Sequence, residues 1–71
     1  MFRYTIIVEK AGNNYSAYCP DLPGCIATGS TVDETIERMK RAIEFHIDGL
    51  KKEGSEIPKP SVKARSIEVA A

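Results

Sequence analysis

Apolar and polar residues alternate strongly over the first stretch of the chain, Phe2-Arg3-Tyr4-Thr5-Ile6-Ile7-Val8-Glu9. That period, with β-branched and aromatic residues filling it, predicts a strand over residues 2–9. Phe2, Tyr4, Ile6 and Val8 share one face, and Arg3, Thr5, Ile7 and Glu9 the other. Ala11-Gly12-Asn13-Asn14 follows, a run that tolerates the positive φ of a hairpin turn. A second strand is expected over 15–19, with Tyr15, Ala17 and Cys19 opposite Ser16 and Tyr18. Pro20 and Pro23 cannot donate to a ladder, so Pro20–Gly24 forms a break, and a short third strand is expected over 25–29.

The period changes after Ser30. Val32, Ile36, Met39, Ile43, His46 and Leu50 recur at intervals of four and three, within about 80° of one another on a helical wheel. Thr31-Val32-Asp33-Glu34 has the form of a capping box, and Gly54 after Lys51 and Lys52 is a natural stop. A helix over 32–53 is predicted, its outer face carrying Glu34–Arg38 and Glu37–Arg41 at i,i+4 spacing. Pro58-Lys59-Pro60 reads as an extended spacer before a last strand over 66–70. In Ser61–Val69 the apolar parity switches between Ala64 and Ile67, which calls for a bulge or bend near Ala64–Arg65. The fold class is therefore α+β: a single β-β-β-α-β domain, a small antiparallel meander with one amphipathic helix on one face.

One helix covers only one face of such a sheet. The stronger apolar set of Phe2, Tyr4, Ile6, Val8 and Tyr15 is expected beneath it. Ile7 and Tyr18 are then left on the open face, either as a contact patch or as the ordinary apolar scatter of a sheet surface. Phe45 lies about 120° from the helical stripe. It either packs under the C-terminal segment or meets another chain.

Composition narrows the chemistry. In 71 residues, ten basic side chains balance ten acidic ones, which excludes the strongly basic character of a nucleic-acid binder. No apolar run approaches the ~18 residues of a membrane span, and no charged-then-apolar leader opens the chain; a cytoplasmic protein with no membrane contact is expected. A chain this short buries only about 60% of its unfolded surface, so a homo-oligomer, dimer or higher, is expected too.

Cys19 and Cys25 are separated by five residues, wider than common zinc half-sites, and read as reduced thiols filling small positions. His46, in the apolar stripe, reads as a core-edge residue rather than a base. Glu9, Asp21, Asp33, Glu34, Glu37 and Glu44 are scattered rather than paired, and no glycine-rich phosphate loop is present. No catalytic residue, metal site or cofactor is expected.

The stretch Tyr18-Cys19-Pro20-Asp21-Leu22-Pro23-Gly24-Cys25, followed by Gly29-Ser30-Thr31-Val32-Asp33-Glu34 and a helix through Ala42-Ile43, resembles the HicB family of antitoxins. The hallmark is a Y-x-P-D-L-P-G-C loop followed by G-x-T-x-x-E at the helix start, and the likeness extends over nearly the whole chain. The resemblance implies a partly degraded RNase H-like fold used for binding. It implies a partner as well, a HicA-like toxin that cleaves mRNA with a histidine of its own. Many HicB proteins carry a C-terminal ribbon-helix-helix or helix-turn-helix domain. No such segment follows the last predicted strand here, so direct DNA binding is not expected.

Within the loop, Asp21 and Leu22 offer one charge and one apolar anchor, and the two prolines lower the entropy lost on immobilisation. The same residues equally suit a rigid connection that sets strand register. Tyr18, Asp21, Leu22, Pro23, Gly24 and Phe45 are the candidate partner-binding residues. Two other functions stay open to the residues alone: an interaction or oligomerisation domain without a toxin, and a residual RNase H-like nuclease.

Overall fold

A computed structural model describes all 71 residues. Three strands, β1 (Ile7–Ala11), β2 (Asn14–Tyr18) and β3 (Ile26–Gly29), precede one helix, α1 (Val32–Glu53). The strands form an antiparallel sheet in the order β1-β2-β3. The hairpin closes between Ala11 and Asn14. Gly12 sits at φ 62° and no non-glycine residue has a positive φ, which fits a II′ turn with glycine at its first central position.

The first strand begins five residues later than its alternation predicts. The β1–β2 ladder ends at the pair Ile7↔Tyr18, because the partner strand turns away at Cys19-Pro20. Residues 2–6 thus have no strand opposite them. The far end of β1 runs to Ala11, two residues past the predicted limit, and the remaining boundaries shift by at most one residue: β2 covers 14–18 rather than 15–19, and β3 26–29 rather than 25–29. Ser66–Ala70 does not form the fourth strand within the monomer. From Ser61 onward every residue is exposed, and no backbone–backbone hydrogen bond outside the regular elements reaches this segment. A strand needs a neighbour to satisfy its amides and carbonyls, and none is in place.

Helix α1 keeps its predicted limits because both ends are capped locally. The Glu34 amide donates to Thr31 Oγ1 at 3.1 Å. The Glu34 carboxylate reaches back one residue further than in a standard capping box, accepting from the Ser30 amide at 3.0 Å. At the other end Gly54 is left-handed, and the amides of Gly54 and Ser55 donate to the carbonyls of Lys51 and Leu50, a Schellman closure. The expected Glu34–Arg38 and Glu37–Arg41 pairs form at 3.3 and 3.7 Å, joined by Asp48–Lys52 at 3.1 Å. All three are exposed and contribute only a few tenths of a kcal/mol each.

The core is small: Ala17, Cys19, Leu22, Cys25 and Met39, with Tyr4, Ile6, Val8, Ala27, Ala42, Ile43 and Ile47 packed around it. The helix therefore lies on the face carrying Tyr4, Ile6 and Val8, as their apolar weight predicts. It meets β3 most intimately, at Gly29. A Cβ there would stand 2.6 Å from Thr35 Oγ1 and 2.9 Å from the Thr35 amide, so only glycine fits. Buried Thr35 is satisfied by donating its hydroxyl to the Thr31 carbonyl at 2.7 Å.

Candidate functional site

The sheet face away from the helix carries the first candidate surface. The register places Ile7, Tyr18 and Ile26 directly opposite one another across all three strands. Because side chains alternate, this row points away from the helix, and Ile26 is 66% exposed. The next row, Glu9, Ser16 and Thr28, is polar. Arg38 stands near its edge, donating to the Thr28 carbonyl at 3.1 Å. The result is an apolar stripe three strands wide with a polar border. Ile7 and Tyr18 belong to it as expected; Ile26 completes it and was not singled out by the alternation of its own short strand. The signal for Ile26 lies in the register: a loop of fixed length between Tyr18 and β3 brings it opposite Tyr18.

The loop beside this stripe is built from two successive turns. The Leu22 amide donates to the Cys19 carbonyl at 3.0 Å, and the Cys25 amide to the Leu22 carbonyl at 3.1 Å. Pro20 and Pro23 occupy second positions, where a fixed φ is favourable, and Gly24 at φ 83° supplies the left-handed third position of a type II turn. Cys19 N–H to Cys25 O, 3.3 Å, closes the base.

This geometry corrects the expectation for Leu22. Its side chain is 0% exposed and belongs to the core. Turned inward between two buried cysteines, it cannot touch a partner without unpacking the domain. Pro23 and Gly24 are exposed at the tip.

Asp21 is occupied within the chain. Its carboxylate accepts from the Ser61 hydroxyl at 2.7 Å, the Ser61 amide at 3.1 Å and the Val62 amide at 3.2 Å. These bonds, the Ser61 hydroxyl first, hold its pKa below the ordinary carboxylate range. Glu34 is lowered as well, by the Ser30 amide and then by Arg38. Tyr4 donates its hydroxyl to the Pro58 carbonyl, and its pKa is raised first by burial and then by the proximity of Cys19 and the Asp21 carboxylate. Thr5 donates to the Val62 carbonyl at 3.2 Å. The segment after the helix is thus stitched at Tyr4, Thr5 and Asp21.

Phe45 is 81% exposed on the outer side of the helix. It does not pack under the C-terminal segment, and it lies on the opposite side of the domain from Tyr18. Those two candidates do not share one surface. His46 is half-buried on the helix and outside the buried core. Both cysteines are free thiols, and burial raises the pKa of Cys25, which disfavours the reactive thiolate. No three His, Cys, Asp or Glu side chains converge to hold a metal ion. No helix is long and apolar enough to cross a membrane.

A second apolar surface lies on the helix side. An open groove of about 1000 Å³ runs between Met1, Phe2, Tyr4 and Ile6 and the helix residues Ile36, Ile43 and Ile47, with Ile57, Lys40, Glu44 and Lys51 also lining it. The alternation of residues 2–6 foretold the apolar face, but not that it would be left open.

Compared with known proteins, residues 4–69 match the model of the HicB-like antitoxin of bacterial toxin–antitoxin systems. The chain belongs to the HicB-like antitoxin family. Among relatives of this HicB-like chain, a UPF0150 protein of Synechocystis is 33% identical over 70 residues, covering 97% of the chain and 89% of that protein. A UPF0150 protein of Thermoplasma acidophilum is 36% identical over 62 residues, covering 86% and 90%. A 14.9 kDa protein of Haemophilus phage HP1 is 41% identical over 56 residues. The match covers 79% of the HicB-like chain but only 42% of the phage protein's length.

Proposed function

We propose that this HicB-like chain is a non-catalytic antitoxin module that binds a HicA-type, mRNA-cleaving toxin in the cytoplasm and occludes its RNA site. The observation that carries the reading is the uncovered Ile7–Tyr18–Ile26 stripe beside the exposed Pro23–Gly24 turn, in a chain of an antitoxin family. A rigid, flat apolar stripe with a polar border suits a protein partner, because the apolar centre supplies affinity while the border supplies orientation. Tyr18 is the anchor, with its large apolar ring and polar tip. Asp21 acts by holding the loop and the segment after the helix together. Phe45 is a separate contact point on the other side of the domain. The β-β-β-α order supports a partly degraded RNase H-like scaffold put to use for binding.

The test is calorimetric titration of the chain with a purified HicA-type ribonuclease. Tyr18→Asp combined with Ile26→Asp is expected to weaken binding by about thirtyfold or more, since loss of one or two anchors costs roughly 2 kcal/mol or more. Far-UV circular dichroism should be unchanged, because neither side chain is buried. Wild-type affinity in the double variant would remove the stripe from the interface.

A further inference from the structure

The groove between residues 1–6 and helix α1 is the molecule's one concavity, and the toxin reading leaves it unused. Its volume of about 1000 Å³ lies at the upper end of small-molecule pockets, roughly 300–1,000 Å³. The walls are mainly aliphatic, with Ile6 on one side and Ile36, Ile43 and Ile47 on the other. Phe2 and Tyr4 pack edge-to-face on each other, centroids 6.1 Å apart, so they form no parallel slot for a flat ring. The Tyr4 hydroxyl is turned to the Pro58 carbonyl, and no buried side-chain nitrogen or oxygen lacks a partner. An apolar chain laid along these walls therefore strands no polar group. A sugar or nucleotide would find only the lysine and glutamate side chains to bond to.

Charge along the groove is uneven. Of the helix cations, Arg38, Arg41 and Lys52 each hold a carboxylate, at 3.3, 3.7 and 3.1 Å. Lys40 and Lys51, the two that line the groove, hold none, although Glu44 lines it with them. They stand about 16 Å apart along the helix axis and within about 20° of each other around it, so both border one trough. Glu44 lies one turn from Lys40 and about two turns from Lys51, so its negative charge opposes an anion at Lys40 more than at Lys51. The aliphatic wall from Ile36 to Ile47 runs about 16 Å and stops one turn short of Lys51.

We infer that the groove binds a single-chain aliphatic carboxylate, its hydrocarbon lying along Ile36–Ile47 and its head group paired with Lys51. Each methylene covered adds about fourfold to affinity, and the unpaired ammonium selects a negative head and fixes the direction of the chain. A bilayer surface does not enter a trough walled on both sides, whereas a free chain does. The inference is independent of the toxin reading, because the groove lies on the helix side and the Ile7–Tyr18–Ile26 stripe on the other.

Isothermal titration of the full chain with sodium tetradecanoate, below its micelle concentration, tests it. One molecule per chain is expected, with a dissociation constant of about 100 µM or tighter, the value such a chain reaches in a bilayer. Tetradecyltrimethylammonium, the same chain with a positive head, should bind at least about tenfold more weakly. Lys51→Glu should also cost at least about tenfold, and the more distant Lys40→Glu less than about threefold. Ile36→Asp, in the wall, should cost about tenfold or more. Its helix signal by circular dichroism should persist, since Ile36 is 43% exposed. No binding of tetradecanoate, equal binding of the two heads, or full affinity in Lys51→Glu overturns the site. So does a chain that sediments at twice its mass and takes up no tetradecanoate, which makes a second copy the occupant.

Discussion

Replacing Leu22 by alanine separates a core role for the loop from a docking role. The side chain is 0% exposed in a core of only five fully buried apolar residues. Both flanking turns are closed by backbone hydrogen bonds, so the loop cannot collapse freely into the space left behind. Leucine-to-alanine changes at buried sites cost about 2–5 kcal/mol, and a pinned site favours a value near 3. A 71-residue domain has only about 4–11 kcal/mol of stability in total. The substitution should therefore remove a large fraction of it and lower Tm by about 12–24 °C. Urea unfolding followed by circular dichroism, at matched protein concentration and with Ile26→Ala as control, measures the difference. Ile26→Ala, on the open face, should stay within about 0.5 kcal/mol of wild type. Coincident midpoints for the two variants would refute the placement of Leu22 in the core.

Two other outcomes follow from single contacts. Gly29→Ala puts a methyl against both the Thr35 hydroxyl, which is pinned to the Thr31 carbonyl, and the Thr35 backbone, and is expected to cost about 1–3 kcal/mol in the same assay. Asp21 has a depressed pKa in the folded chain, so its contribution is present above the ordinary carboxylate value near 4 and is lost as pH falls through the folded one. Protection of the Ser61 and Val62 amides, taken relative to intrinsic exchange at each pH, should fall over that acid range, and at neutral pH exchange should accelerate in Asp21→Ala. Unaltered exchange in the variant would dissociate the carboxylate from the segment it holds.

The helix was fully legible because everything that defines it is local: a 3.6-residue stripe, Thr31 at one end and Gly54 at the other. The open face was legible for Ile7 and Tyr18 because their own strands alternate clearly. Ile26 was not, since four residues of β3 with alanine, threonine and glycine carry little pattern, and its neighbours come from register. Leu22 was misread because a residue between two prolines looks like a loop tip. Its burial depends on two turns that fold the tip back over Met39 and the cysteines. The predicted strands at 2–6 and 66–70 have the right alternation in both cases. Pairing is a property of two segments together, and neither segment finds its neighbour within the monomer.

The Asp21 carboxylate joins positions forty apart along the chain. It fastens the corner between two strands to the polypeptide that emerges past the helix. Corner and outgoing polypeptide consequently move as a single joint. A load pulling on one is felt at the other.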